Sequence, residues 1–203
     1  MSALPDTSAE LREIAITLKA DPARDVFVNR QATEESVKQA KLDNVRVLAF
    51  ATHGIAPGEL PGMDQPALVL SNPALTGDAD NDGFLTMEEV LSLKLNADWV
   101  VLSACNTASA DGRGSEALSG LGRAFFYAGA RSLLVSNWAV ETTSAKLLTT
   151  ETFKRQSENP QLTRAEALRL SMLDLMGKSA PGGYSYAHPA FWAPFSLVGD
   201  GGR

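Results

Sequence analysis

The sequence predicts an α/β protein in which helices cover both faces of a mostly parallel β-sheet. Three segments, at 45–51, 98–103 and 131–136, are almost continuously apolar, as is typical of strands that are buried on both faces. Segments whose apolar residues recur with helical spacing lie before, between and after them. Because strands that alternate with helices place helices on both faces of a sheet, we expect a three-layer sandwich.

The first quarter of the chain carries two predicted helices and two predicted strands. Apolar residues at helical spacing predict a helix over residues 6–19, and a short apolar piece predicts a strand at 25–29. Another helix is expected at 33–41, where glutamates occupy the first turn. The buried-type strand at 45–51 then ends abruptly at Thr52-His53-Gly54.

A hairpin and a short capped helix are predicted next. One arm of the hairpin is expected at 67–71, and Asp82-Gly83 supplies turn residues in front of the other arm at Phe84-Leu85. Thr86 and Glu89 have the T-x-x-E form of a capping box, which predicts a short helix as far as Lys94.

The second half of the chain alternates strands and helices. The strand at 98–103 leads through a loop rich in serine, glycine and aspartate to a helix at 115–128, and Gly129 stands where a helix C-cap belongs. The other predicted elements are the strand at 131–136, helices at about 141–156 and 163–177, and a last strand at 195–198. The sequence contains no internal repeat and no interdomain linker.

Length and composition bound the class of protein. With 203 residues the chain suits a single domain. Its one cysteine excludes an internal disulfide framework and any zinc or iron–sulfur site built from cysteines. No apolar run reaches the roughly 18 residues of a membrane span, and the N-terminus lacks the basic head and apolar stretch of a signal peptide. We therefore expect a cytoplasmic protein with no membrane contact.

The charge of the chain argues against nucleic acid as a partner. The formal net charge is −6, from 18 basic and 24 acidic residues. Five of the acids fall in one window that contains no lysine or arginine: Asp78, Asp80, Asp82, Glu88 and Glu89. The rest of the chain is nearly neutral and offers no clustered basic face, which nucleic-acid binding requires.

The acidic window also matches the spacing of an EF-hand calcium loop. The matching positions are Asp78, Asp80, Asp82, Gly83 and Glu89. The stretch before them contains Pro73 and does not predict an entering helix, and each matching residue has a local role in a turn or a cap. We therefore expect a hairpin without a required cofactor, and a calcium site remains the alternative.

Two residues that are able to perform nucleophilic chemistry follow buried-type strands. His53 comes directly after one such strand and Cys105 directly after another. The carboxyl ends of adjacent parallel strands share one edge of a sheet, where ligands bind. A thiol needs a neighbouring imidazole because the thiolate is the nucleophile and little of it forms unaided at neutral pH. The imidazole can later protonate the leaving amine.

The alternative to a nucleophile is a cysteine that serves as a small buried hydrophobe. A core cysteine would sit within the apolar run at 99–102, whereas Cys105 follows that run and precedes polar Asn106-Thr107. Its position favours the nucleophile. His188, in contrast, precedes a proline inside an aromatic cluster, which predicts a packed and hydrogen-bonded side chain.

Four motifs carry a resemblance to a known family. They are Ala51-Thr-His-Gly54, Leu102-Ser-Ala-Cys-Asn-Thr107, Gly114-Ser-Glu-Ala-Leu with Arg123-Ala-Phe-Phe-Tyr-Ala-Gly-Ala130, and His188-Pro-Ala-Phe-Trp-Ala-Pro-Phe195. In order and spacing they closely resemble the CHAT domain, a bacterial caspase-like family of cysteine peptidases that is related to separases. The resemblance implies a caspase-type α/β sheet with His53 as general base and Cys105 as nucleophile. It also implies an oxyanion hole made by the backbone N–H groups of Gly54 and Cys105.

Members of that family commonly carry a further N-terminal part of the domain and upstream tetratricopeptide repeats. We therefore expect residues 1–203 to form a single CHAT domain, its C-terminal catalytic part. A tetratricopeptide-repeat partner or an upstream region would then recruit the substrate or complete the domain.

Three functions remain open at this point. The first is a cysteine endopeptidase that cleaves a specific protein through a thioester acyl-enzyme. The second is a non-catalytic caspase-like interaction module with an idle dyad, and the third is another cysteine-dependent hydrolase or amidase on the same layout.

Substrate contacts are expected after the nucleophile and after the third buried strand. Asp111 and Glu116 are candidates for selecting arginine or lysine at P1, the residue before the scissile bond, and Trp138 is a candidate wall of the cleft. The alternatives are a solvated loop charge, an acid in the first turn of a helix and a packed tryptophan at a strand end.

Overall fold

The computed structural model describes residues 7–77, 80–103, 113–138, 140–180 and 182–202, with the backbone alone for 113–119. The α-helices in these ranges are α1 Thr7–Thr17, α2 Pro22–Asp25, α3 Glu34–Gln39, α4 Pro73–Thr76, α5 Met87–Ser92, α6 Arg113–Ala128, α7 Thr142–Glu158 and α8 Arg164–Met176. The strands are β1 Val47–Ala51, β2 Gly54–Ile55, β3 Ala67–Val69, β4 Phe84–Thr86, β5 Trp99–Ser103, β6 Ser132–Ser136 and β7 Phe195–Gly199.

A four-stranded sheet with the order β1-β5-β6-β7 forms the centre of the fold. β1, β5 and β6 are parallel, and β7 runs antiparallel to β6 at the edge. The three buried-type strands predicted from the sequence are therefore direct neighbours. A second sheet, of order β2-β3-β4, is antiparallel and contains the predicted hairpin.

Each face of the central sheet buries its own hydrophobic core. Along β5, Val100 and Leu102 pack into the core beneath α5 and α6, whereas Trp99 and Val101 pack into the core beneath α1, α7 and α8. Successive side chains of a strand point to opposite faces, so a continuously apolar strand fills both cores at once. The structure confirms the predicted α/β fold with helices on both faces of a mostly parallel sheet.

The predicted strand at 25–29 is wrong. Asp21 caps a one-turn helix, α2, by accepting a hydrogen bond from the N–H of Ala23 at 2.9 Å, and Pro22 starts that helix with a fixed φ. Residues 26–28 are extended at Val26 and Val28 but pair with no strand of the described chain, and Phe27 is 47% exposed. Local capping therefore outweighs the β-propensity of three apolar residues.

The region around the hairpin follows its sequence signals closely. Thr86 and Glu89 form the predicted capping box at the start of α5. The connection between β3 and β4 contains the single turn of α4, which Asn72 caps and Pro73 begins. Gly83, before β4, has a φ of +88°, which suits the predicted turn.

Gly129, predicted as a C-cap, provides a test of how tightly α6 is joined to the sheet. Its φ is +116°, and a Cβ there would lie 2.2 Å from the carbonyl oxygen of Leu95. That carbonyl belongs to the chain segment that leads into β5, so neither backbone is able to retreat without moving the sheet. We expect Gly129→Ala to lower the free energy of unfolding in urea by about 3 kcal/mol.

Gly58→Ala is the matched control, because Gly58 also has a positive φ (+81°) but its Cβ would meet nothing within 4 Å. The free energy of unfolding of that variant should fall by only about 1 kcal/mol, which is the cost of placing an alanine in the left-handed backbone region. Equal losses in the two variants would show that the close approach to Leu95 adds nothing.

Candidate active site

The register of the central sheet brings the ends of β1 and β5 together. Ala51, the last residue of β1, is the partner of Ser103, the last residue of β5. His53 follows Ala51 by two residues, and Cys105 follows Ser103 by two residues in the sequence. Cys105 itself lies outside the described residues. The two strands thus end side by side, as the motif positions require.

The backbone at His53 is held by the second sheet. The N–H of Val69 in β3 donates to the carbonyl oxygen of His53 at 2.8 Å. The hydroxyl of Thr52 donates to the carbonyl oxygen of Val69. His53 is half-buried, and its carbonyl oxygen and the side chain of the preceding Thr52 are both hydrogen-bonded to the backbone of Val69 in β3.

Gly54 occupies an edge position with its N–H directed away from β3. Gly54 pairs with Leu68, while the ladder bond from Val69 reaches His53, one residue earlier. In an antiparallel pair the bonded and non-bonded residues alternate, so the N–H of a non-bonded residue points to the outside. Because β2 is the edge strand of its sheet, this N–H is directed to the side on which no further strand of that sheet lies.

Trp138 lies at the same edge, just beyond β6. Its side chain is 40% exposed. The preceding residue, Asn137, donates from its backbone N–H to the carbonyl oxygen of Pro194 at 2.8 Å, and from Nδ2 to the hydroxyl of Ser196 at 2.8 Å. These bonds fasten the segment after His188 to the end of β6.

His188 is hydrogen-bonded, as predicted, but it is exposed and not packed. Its Nδ1 accepts from the N–H of Ala190 at 3.2 Å, so the side chain caps the short 3₁₀ turn Pro189–Phe191. Of the two other candidate substrate contacts, Asp111 lies outside the described residues. Glu116 has its backbone in the first turn of α6, and its side chain also lies outside them.

The sequence did not reveal the buried carboxyl group of Glu10. This side chain in α1 is 2% exposed and receives a hydrogen bond from the hydroxyl of Ser103 at 3.0 Å. Burial raises the pKa of Glu10, against the opposing effects of hydrogen bonds from Ser103 and Thr149 and the charge of Lys146. One signal in the sequence could have indicated this burial: Glu10 stands four residues before Ile14, which places both side chains on the same face of α1.

Comparison with known proteins agrees with this geometry. A family model described as the CHAT domain matches residues 1–200. The chain belongs to the CHAT family. That family is caspase-like, and the mostly parallel central sheet with helices on both faces is consistent with a caspase-like sandwich.

One curated relative matches almost the whole length of this chain. Tetratricopeptide repeat protein 28 of Mus musculus is 25% identical over 97% of this chain. The match covers only 9% of that relative, so this CHAT domain spans a small part of the relative's length. Within the described residues, no helix is both long and apolar enough to cross a membrane.

In this CHAT domain Lys38, which lies in α3 and outside the acidic window in sequence, brings a positive charge to that window. The ammonium group of Lys38 donates to Glu34 at 2.8 Å, to Asn81 at 2.8 Å and to Glu89 at 2.6 Å. Glu34, which is buried, also accepts from the N–H of Gly83 at 2.6 Å. Glu89 would be the last ligand of an EF-hand loop, and Asp78, the first, lies outside the described residues.

The pKa values of this cluster fit an internal ion pair. Partial burial would lower the pKa of Lys38, but hydrogen bonds to Glu34 and Glu89 raise it above its ordinary value. Burial would raise the pKa of Glu89, but Lys38 and the capping bonds to Thr86 hold it below its ordinary value. These directions fit an ion pair between Lys38 and Glu89 at neutral pH.

We expect Lys38→Met to lower the free energy of unfolding by about 3 kcal/mol, because it leaves Glu34 buried without its cation. Lys178→Met is the matched control, since Lys178 lies just beyond the end of α8 and pairs with Asp174 at 2.6 Å at the surface. The free energy of unfolding of this control should fall by less than about 0.5 kcal/mol. Urea unfolding of the two variants measures the difference, and equal losses would show that the Lys38 cluster contributes nothing special.

Calcium should not change the thermal midpoint of the wild-type domain, because the Lys38 ammonium already binds Glu89. We expect midpoints in millimolar calcium and in excess chelator to agree. A calcium-dependent rise would instead identify the window as a calcium site.

Proposed function

We propose that this CHAT domain is a cysteine endopeptidase in which His53 is the general base and Cys105 the nucleophile. The observation that carries the proposal is the register of β1 and β5, whose last residues, Ala51 and Ser103, are partners. Neighbouring parallel strands lie about 4.8 Å apart. Proton transfer between a thiol and an imidazole needs the two groups within hydrogen-bond distance, and strand ends at the same level on neighbouring strands support such a pairing of His53 with Cys105.

The proposed reaction follows from these groups. The imidazole of His53 accepts the thiol proton as the sulfur of Cys105 attacks the peptide carbonyl, which gives a tetrahedral oxyanion. The outward-directed N–H of Gly54, together with that of Cys105, would donate to this oxyanion. His53 then returns the proton to the leaving amine, and water hydrolyses the thioester to release the acid and the thiol.

We further propose that the substrate is a specific protein and that tetratricopeptide repeats recruit it, in an upstream region or in a partner chain. The support is the relative that is named for such repeats and is far longer than the part that matches. In this proposal residues 1–203 are the catalytic part of a CHAT domain that acts in the cytoplasm, where a single reduced cysteine keeps its thiol.

Cleavage of a fluorescently quenched casein tests the dyad. We expect wild-type protein to release fluorescence, and Cys105→Ala and His53→Ala to lower the rate by at least about 10³-fold, since each removes a member of a unit that acts together. His188→Ala is the matched control, because His188 is an exposed helix cap, and it should keep the wild-type rate.

Activity that survives Cys105→Ala would exclude Cys105 as the nucleophile. A wild-type domain that cleaves small amides but never casein or peptides would instead be a cysteine-dependent amidase. A domain with no activity on either, alone or with a repeat-containing partner, would be the non-catalytic interaction module.

For substrate selection, we propose that carboxylates near the nucleophile favour a basic P1 residue and that Trp138 lines the cleft. The support is the exposure of Trp138 at the motif-bearing edge and the place of Glu116 in the first turn of α6. A panel of fluorogenic peptides that differ only at P1 should show a preference for arginine or lysine. Glu116→Gln should lower that preference about tenfold, and a wild-type preference for apolar P1 residues would contradict the assignment.

A further inference from the structure

Glu10 is a carboxyl group in a place where burial is costly. It lies in α1, which packs on β1 and α7, and its side chain is 2% exposed. It forms no ion pair within the described part of the chain, and Lys146, whose charge acts on it, pairs with Glu13 at 2.9 Å. A buried carboxyl group without a cationic partner is stable only if hydrogen bonds satisfy it.

Two buried hydroxyl groups provide those hydrogen bonds. Ser103 Oγ lies 3.0 Å from Oε1 and 3.2 Å from Oε2 of Glu10. Thr149 Oγ1 lies 3.2 Å from Oε1 of Glu10 and 3.0 Å from the carbonyl oxygen of Ala145. Each hydroxyl has one proton to donate, and the carbonyl of Ala145 competes for the proton of Thr149.

Ser103 and Thr149 both donate to the carboxylate form of Glu10. When Glu10 is protonated, Thr149 is able to donate to the carbonyl of Ala145 and to accept the carboxyl proton, while Ser103 still donates to the carboxyl group. The neutral form is also the one that burial favours. Hydrogen bonds therefore connect Thr149 in α7, Glu10 in α1 and Ser103 at the end of β5.

These hydrogen bonds end close in sequence to the proposed nucleophile. Ser103 is the last residue of β5, is 3% exposed and precedes Cys105 by two residues. An aliphatic side chain at position 10 would extend the apolar face that Ile14 begins, without the cost of burying a carboxyl group. A polar group that is buried at cost directly beneath the nucleophile's strand end points to a functional role.

We propose that Glu10 is a positioning residue for the nucleophile: by binding Ser103, it fixes the direction in which the chain leaves β5 towards Cys105. This inference rests on the proposed function of Cys105. It assigns Glu10 no proton transfer to the substrate and no contact with it.

The test uses four single variants and one double variant of the full chain, with two readouts of the segment after β5 and the thermal midpoint as the measure of stability. Glu10→Leu and Ser103→Ala each remove one partner of the hydrogen bond between Glu10 and Ser103. Glu10→Gln introduces an amide, which is able to accept from Ser103 and to donate to Thr149. Ser171→Ala is the matched control, since Ser171 is 1% exposed and its hydroxyl donates only to the backbone carbonyl of Ala167. The readouts are the rate of Cys105 alkylation by iodoacetamide near neutral pH and amide hydrogen exchange over residues 104–112.

We expect Glu10→Leu and Ser103→Ala each to slow alkylation about tenfold or more, and to speed exchange in that segment. Their double variant should be no slower than either alone, because both remove the same contact. Glu10→Gln should stay within about twofold of wild type. Ser171→Ala should lower the thermal midpoint as Ser103→Ala does and leave both readouts at their wild-type values.

The proposal is overturned if Ser103→Ala and Ser171→Ala behave alike in both readouts, or if Glu10→Gln is as impaired as Glu10→Leu. Failure of the proposed function has a different signature. In that case the wild-type thiol itself reacts no faster than a free thiol and ignores His53→Ala, while the exchange readout still reports whether Glu10 orders the segment.

Discussion

The in-register parallel pairing of β1 with β5 is the constraint on which the rest of the structure depends. Five consecutive residue pairs, from Val47 with Trp99 to Ala51 with Ser103, end both strands at the same level. A slip of one residue would reverse every side chain of a strand between the two faces and would disrupt both cores. The hydrophobic packing that stabilises the sheet therefore also fixes the spacing between the chain positions that lead to His53 and Cys105.

Two polar clusters brace this edge from opposite sides of the sheet. Glu10 is buried under the end of β5 and holds Ser103. The Lys38 cluster holds the β3–β4 hairpin through Glu34 and Gly83, and that hairpin in turn binds the backbone of His53. Burying Glu10 and Glu34 costs desolvation energy, which the hydrogen bonds to Ser103 and Gly83 offset. The apolar cores provide most of the stability.

Most of the fold was predictable from the sequence because its main signals are local. Continuous apolar runs predicted β1, β5 and β6, and the T-x-x-E spacing of Thr86 and Glu89 predicted the start of α5. The strand at 25–29 was wrong because an Asp21 cap and Pro22 favour a helical turn there. His188 was expected to be packed because its neighbours are aromatic. The aromatic neighbours Phe191 and Trp192 do pack against the core, but His188 itself caps a turn at the surface.

The contacts that brace the site were not predictable, because they join distant parts of the chain. Lys38 meets Asn81 and Glu89 across 43 and 51 residues, and Glu10 meets Ser103 across 93. Apart from the spacing of Glu10 from Ile14, nothing in the local pattern distinguishes Lys38, Glu89 and Glu10 from solvated charges on a helix. The place of His53 beyond the end of β1, in contrast, follows from where a strand ends, which the sequence does reveal.

The most direct test of the account is the pH dependence of Cys105 alkylation by iodoacetamide, read by intact mass, in wild type and in His53→Ala. The chain has one cysteine, so every alkyl group reports the same thiol. The account predicts fast labelling well below the free-thiol pKa of about 8.5 in wild type, and a return to free-thiol behaviour in the variant. Identical slow profiles in the two proteins would contradict it, because the thiol would then have no imidazole partner.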